Sequence, residues 1–293
     1  MRAHDNCISN HWGGLDWSPW IELNAPLAKF RNGVPKAPGF YRIRTTDAND
    51  LIYVGQTGRS LRERTRALAN NTYRSDDMPP WNDPHTAAPL LWAYRIENGL
   101  SYQVSVATAK LDFPTRQCTE DALLFLHRKE HGHSTQCNHG RLHPMWTRPT
   151  NRGKNEPATR RKSPVPYTSL PPVSGHGTPC SPEWLGLAWT DFVSSSKSVP
   201  STAGIYRIRI DNDLVYLGES KNLKNRIDAH LKTPRLSGCM VSYAIMDGAD
   251  AHHLKERETD LIGAYFLSQD KPPAFQYQPP SNPLTPLLPQ QPH

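Results

Sequence analysis

Two tyrosines, an arginine and a glutamate recur in the same order in the two halves of this 293-residue chain. They are Tyr41, Tyr53, Arg64 and Glu120, then Tyr206, Tyr216, Arg226 and Glu258. Their helical spacing is anomalous. Arg64 falls on one stripe with Leu61 and Leu68, and Arg226 on one with Leu223, Ile227 and His230. A guanidinium turned toward an apolar face must find an anion. Glu120 stands three and four residues before Leu123 and Leu124. Glu258 bears the same relation to Leu261 and Ile262 and follows Leu254 by four, whereas Glu256 falls on the opposite helical face. The bland account is a buried Arg–Glu pair in each half, which contributes little net stability after desolvation. The alternative is a site that binds an anion beside a carboxylate, and the repeated tyrosines favour it.

The elements that must position these side chains are repeated too. Pro38-Gly-Phe-Tyr-Arg-Ile-Arg44 and Asp50-Leu-Ile-Tyr-Val-Gly55 return as Ala203-Gly-Ile-Tyr-Arg-Ile-Arg209 and Asp213-Leu-Val-Tyr-Leu-Gly218, each preceded by Val-Pro. Self-similarity displaced by over half the chain means one fold built twice. Phe40–Arg44 with Ile52–Gly55, and Ile205–Ile210 with Leu214–Gly218, read as hairpins. A helix follows each hairpin, started by the capping-box spacing Ser60-Leu-Arg-Glu63 and by Asn222. A third strand (Tyr102–Ala107, Met240–Ile245) and a second helix (Thr119–Lys129, Ala251–Leu267) complete each unit. The expected fold is α+β: two tandem ββαβα units, each a three-stranded antiparallel sheet flanked by helices. The expected domains are 1–145, carrying an inserted loop over 71–90, and 182–277. Residues 146–181, with Arg148, Arg152, Lys154, Arg160, Arg161 and Lys162 against the lone Glu156, read as a cationic, poorly ordered linker. Residues 278–293 read as a proline-rich tail.

A net charge of +7 and a pI near 9.2 lean toward an anionic partner. Five cysteines, odd in number and without a C-x-x-C pair, argue against a disulfide framework. The start of the chain lacks a signal-peptide apolar core, and no stretch approaches the roughly 20 apolar residues that span a bilayer. The chain therefore reads as soluble and intracellular, hence cytoplasmic.

Each unit resembles a GIY-YIG nuclease domain. Gly39-Phe-Tyr41 and Tyr53-Val-Gly55 stand for the paired tripeptides in the first unit, Gly204-Ile-Tyr206 and Tyr216-Leu-Gly218 in the second. The resemblance places the family's helical arginine on Arg64 and Arg226, its metal-binding glutamate on Glu120 and Glu258, and its later asparagine on Asn138. His230 fits the His or Tyr found one turn after the arginine, where the first unit has Leu68. Gln276 is the nearest candidate for a terminal asparagine in the second unit, and Glu219 adds an unexpected negative charge. What the resemblance implies is hydrolysis of a DNA phosphodiester with Mg²⁺ or Mn²⁺ on Glu120 or Glu258. Arg64 or Arg226 would grip the phosphate, and a tyrosine would deprotonate the attacking water. Either tyrosine of each pair fits that last role. Two fused sites would act as a pseudo-dimer on duplex DNA, as a restriction-type enzyme defending against foreign DNA. A structure-specific repair nuclease and a non-catalytic DNA-binding platform are the competing readings.

Candidate substrate contacts beyond this set are Asn138, Trp81 and His85 in the insertion, and Arg160, Arg161 and Lys162 in the linker, with loop packing as the alternative for Trp81. His127, His131, His133, Cys137, His139 and His143 form a further cluster. Its spacing matches no zinc-finger pattern, so it reads as a helix end and polar loop in preference to a zinc site.

Overall fold

The computed structural model describes residues 6–46, 48–75, 77, 79–80, 87–148 and 158–278. It divides into two compact units. The first takes the chain up to Asp112 together with Leu126–Ser169; the second takes Phe113–Phe125 and the chain from Leu170 onward. The architecture is mixed α+β, with small antiparallel sheets. No helix among the described residues is long and apolar enough to cross a membrane.

The first unit opens with three two-residue strands, β1 (His11–Trp12), β2 (Leu15–Asp16) and β3 (Ile21–Glu22), and the short helix α1 (Leu27–Gly33). The hairpin β4 (Gly39–Thr45) and β5 (Tyr53–Thr57) leads to α2 (Leu61–Thr72), α3 (Ala88–Asn98), β6 (Tyr102–Thr108) and α4 (Phe113–His131). The sheet order is β3-β6-β4-β5, all antiparallel. It has one strand more than expected, because Ile21–Glu22 adds to the outer edge of β6. Ser60 caps α2 by accepting the Glu63 amide at 3.2 Å, the first half of the expected capping box.

The insertion is corrected in kind. Its last three residues, Ala88–Leu90, open helix α3, which has Pro89 near its N-terminus and is stopped by Gly99 in the left-handed conformation, φ 69°. Trp81 and His85 lie outside the described residues.

The second unit repeats the plan without α3. Strands β7 (Gly204–Ile210) and β8 (Asp213–Ser220) form the hairpin, followed by α5 (Leu223–Leu231), β9 (Met240–Ile245) and α6 (Ala251–Gln269). Its sheet order is β8-β7-β9. Asn222 caps α5 by accepting the Asn225 amide at 3.0 Å. The sheet is packed on both faces, with Tyr206, Ile208, Leu223 and Ile227 in one core and Ile205, Leu217, Leu261 and Ile262 in another. Alternation along β7 sends successive side chains to these opposite faces. That places Tyr206 over α5, where Arg226 is.

A longer repeat precedes each hairpin. Trp12-Gly-Gly-Leu-Asp-Trp17-Ser-Pro-Trp20 corresponds to Trp184-Leu-Gly-Leu-Ala-Trp189-Thr-Asp-Phe192. In both copies the second tryptophan's indole N–H donates to the carbonyl of the first at 3.0 Å. A buried arginine from the middle strand stacks beneath it: Arg42 lies 4.3 Å from the Trp17 ring and Arg207 4.3 Å from Trp189. Arg42 donates to the carbonyls of Cys7 and Ser9 at 2.6 and 2.7 Å, and Arg207 to those of Pro179 and Ser181 at 2.8 and 2.9 Å. Burial pulls their pKa values down to about 9 and about 10, so both stay charged at neutral pH. Carbonyls and aromatic faces offset the desolvation cost.

The stretch expected to be a loose linker is also corrected. Among its described residues, Trp146 pairs with Arg160 in a bridge, and Thr147 and Thr159 are joined by a backbone bond of 2.9 Å. In the second unit Val173 is buried, its amide donating to Asp260 at 3.2 Å.

Candidate active site

The site is most complete in the second unit. Strand β7 carries Tyr206, opposite Gly218 on β8. A Cβ on Gly218 would fall 2.6 Å from Cζ of Tyr206 and 2.8 Å from Tyr216, so only glycine lets the phenol lie across the neighbouring backbone. The same holds in the first unit, where a Cβ on Gly55 would fall 2.6 Å from Cζ of Tyr41 and 2.7 Å from Tyr53. The paired tripeptides are thus one steric device: tyrosine on one strand, glycine facing it.

Arg226 on α5 donates from Nε to the Tyr206 hydroxyl at 3.0 Å, and His230, one turn on, places Nε2 2.8 Å from the same oxygen. Tyr216 stacks on Tyr206, ring centroids 6.0 Å apart, and lies 5.0 Å from the His230 ring. Tyr206 and His230 are buried, whereas Tyr216, Arg226, Glu258, Glu219 and Lys255 are half-buried and form the accessible rim. On α6, Lys255 bridges two carboxylates, 3.0 Å from Glu219 and 3.1 Å from Glu258. Sequence reasoning missed Lys255. Its signal was its place one turn before Glu258, together with the unexpected charge at Glu219.

Burial dominates the electrostatics. It pushes the Tyr206 hydroxyl well above the usual phenol range, with Tyr216 and Glu258 adding and Arg226 opposing. Tyr216 moves up for the same reasons. Burial also raises Glu258, assisted by Glu219 and opposed by Lys255 and Arg226. His230 drops to about 3, through burial and then the Arg226 charge. Both phenols and the imidazole are therefore neutral near pH 7. A neutral His230 can accept the Tyr206 proton at Nε2 while Arg226 donates to the phenolic oxygen, leaving His230 Nδ1 buried without a hydrogen-bond partner among the described residues.

In the first unit Arg64 Nε lies 3.4 Å from the Tyr41 hydroxyl, and Tyr41 and Tyr53 rings are 5.9 Å apart. Leu68, fully buried, stands where His230 stands in the other copy. Glu120 is half-buried on Phe113–Phe125, a stretch that belongs to the second unit. There it raises the pKa of its neighbour Asp121, as does Glu258, both after burial itself.

Two expected substrate contacts are already engaged within the first unit. The Asn138 amide is spent on the strand that carries Tyr53: Oδ1 accepts the Val54 N–H at 3.0 Å and Nδ2 donates to the Val54 carbonyl at 2.9 Å. Asn138 therefore positions the tyrosine strand, and Gln276 does likewise by accepting the Leu217 N–H at 3.1 Å. Arg160 is held by both oxygens of Glu97, at 2.8 and 2.7 Å, so its fork is already filled. Arg161 is half-buried and Lys162 exposed.

The histidine cluster divides. Cys137 is buried in the core of the first unit, and His143 packs on Tyr94 at 4.4 Å and pairs with Asn98 at 3.0 Å. His127, His131 and His133 gather instead around Cys7.

In comparisons with protein-family models, curated proteins and solved structures, nothing matches this chain.

Proposed function

We propose that this protein is a divalent-metal-dependent DNA endonuclease whose second unit carries a complete hydrolytic site. The observation that supports this most is the single phenolic oxygen of Tyr206 held between Arg226 at 3.0 Å and His230 at 2.8 Å, beside the carboxylate of Glu258. A buried Arg–Glu pair with no further role needs neither the imidazole nor the second phenol.

The donor set fits Mg²⁺ or Mn²⁺: Glu258 and Glu219 are hard oxygen ligands that already share one positive group, the Lys255 ammonium. When bound, such an ion supplies polarisation of the phosphate and neutralises the leaving oxygen. Glu258 and Glu219 would hold it as Lys255 swings out toward solvent. Arg226 presents a planar fork to the phosphate oxygens as charge builds on them. Tyr206 takes a proton from the attacking water and passes its own to His230 Nε2. Tyrosine and imidazole are both neutral at rest, so the step leaves the positive charge on His230, against burial and the Arg226 charge, and the negative phosphate must offset it.

A non-catalytic DNA-binding platform also has an observation in its favour, because Lys255 already neutralises Glu258 in the resting protein. Supercoiled plasmid separates the two readings. The nuclease reading expects nicking by wild type in Mg²⁺ or Mn²⁺ that falls away in Glu258→Gln, and complete inactivity when Glu120→Gln is added. A platform binds DNA with steep salt dependence and never nicks it. Intact plasmid, modified phage DNA and branched DNA in both metals would overturn the nuclease reading.

A further inference from the structure

The buried knot around Cys7 lies outside the nuclease reading and does not depend on it. His127 and His131 stand four apart on α4, so both rings leave the same helical face and stack with centroids 4.7 Å apart. Cys7 arrives from the start of the chain and is held from two sides. Its carbonyl accepts from Arg42 at 2.6 Å, and its amide donates to the Glu130 carboxylate at 2.9 and 3.2 Å. That grip aims Sγ at His131 Nε2, 3.2 Å away. One ligand atom from each of Cys7, His127 and His131 falls within 4.8 Å of the others. His127 is wholly buried; its Nε2 accepts the Leu51 amide at 3.3 Å, and its Nδ1 has no hydrogen-bond partner among the described residues. Glu130 Oε1 lies 3.3 Å from His131 Nε2, beside the cluster and outside the mutual reach of its three ligand atoms.

The geometry points to a zinc site whose protein ligands are Cys7, His127 and His131, with the Glu130 carboxylate orienting His131 and the Cys7 backbone beside it. One thiolate and two imidazoles form a donor set that tetrahedral Zn²⁺ accepts, with the fourth position left to water. A sulfur and a nitrogen bound to one tetrahedral zinc lie about 3.5 Å apart, close to the spacing of Cys7 and His131. Mg²⁺ would refuse the sulfur, so the site is chemically separate from the one proposed for Glu258. Binding breaks the Cys7 S–H bond, forms a metal–sulfur bond and releases the proton to solvent. The ion would fasten the N-terminal segment, and with it the tryptophan clasp over Arg42, to the end of α4.

Cobalt substitution in the full-length protein tests this without DNA. The expected result is one Co²⁺ per chain, with the intense visible bands of a tetrahedral ion and a thiolate-to-cobalt charge-transfer band, both erased when Zn²⁺ is added. Cys7→Ser loses the charge-transfer band, while Cys118→Ser and Cys137→Ser keep it. Glu130→Gln weakens cobalt binding roughly tenfold to a hundredfold. Circular dichroism of each variant separates a lost ligand from a lost fold, and the wild-type spectrum needs no variant. A weak octahedral spectrum in wild type, or a charge-transfer band that survives in Cys7→Ser, would overturn the assignment.

Discussion

The two copies of the tyrosine–arginine pair differ in what surrounds them, and the differences are coordinated. Around Tyr206 stand His230, Glu219 and Lys255; at the corresponding sequence positions of the first copy stand Leu68, Gln56 and Gln117. An ion pair in one copy is replaced by two neutral amides in the other, so the net charge beside the glutamate is unchanged. The frame is kept meanwhile: glycine opposite tyrosine, arginine on the phenol, and an amide side chain bonded to the tyrosine strand by Asn138 or Gln276. The frame is thus held constant while the polar residues around it differ.

The sharpest way to break this comparison is to remove the arginines. Arg226→Ala should slow nicking by roughly a hundredfold to a thousandfold, the cost of losing a preorganised electrostatic contact. Arg64→Ala should cost less if the first copy lacks a proton relay. Single-turnover rates on nicked and supercoiled plasmid measure both, and equal losses would contradict the asymmetry. The frame itself is predicted to be symmetric. Gly55→Ala and Gly218→Ala should each destabilise their unit by roughly 1–3 kcal/mol through overpacking against a tyrosine ring, read by urea unfolding. If either alanine is tolerated without loss, the steric account of that glycine fails.

Smaller effects sharpen the charge comparison. Lys255→Gln, which imports the first copy's residue, should lower the Mg²⁺ concentration for half-maximal nicking on the order of tenfold, since a competing cation is gone. No change would mean that Lys255 does not compete for the carboxylates proposed to hold the metal. His230 makes the mildest prediction. Its folded pKa, about 3, lies below its ordinary value of 6.5, so the unfolded chain takes up a proton first as pH falls. Its stabilising contribution is therefore complete above about pH 6.5 and is lost toward pH 3, amounting to about 1 kcal/mol by about pH 5.5. Urea midpoints across that range should fall more steeply for wild type than for His230→Leu. Parallel curves would contradict the buried neutral imidazole.

Much of the frame was legible because its signals are local. Ser60 and Asn222 announced their helices, and short β-branched or aromatic runs flanking Asp/Asn turns placed the hairpins. What escaped depends on residues far apart in sequence. Arg160 resembled a free cation of a basic linker, but its partner Glu97 lies in another element. Cys7 sits some 120 positions before the histidines it meets, so no spacing rule could join them. The tryptophan repeat is a different case. Trp12, Trp17, Trp184 and Trp189 share their spacing openly, yet the first copy holds two-residue strands and turns and the second a single 3-10 turn at Trp184–Gly186, so strand or helix periodicity passes over both. Helix α3 carried its start and stop in Pro89 and Gly99, and was hidden by the proline-rich segment running into it.

The tryptophan clasp gives each unit a built-in optical reporter. Trp17 and Trp189 are each bolted to the middle strand of their own sheet through a stacked guanidinium. Loss of that strand would expose the indole to water and redden its emission. Replacing Trp184 and Trp189 with phenylalanine would silence the second unit, so that fluorescence could follow the melting of the first alone.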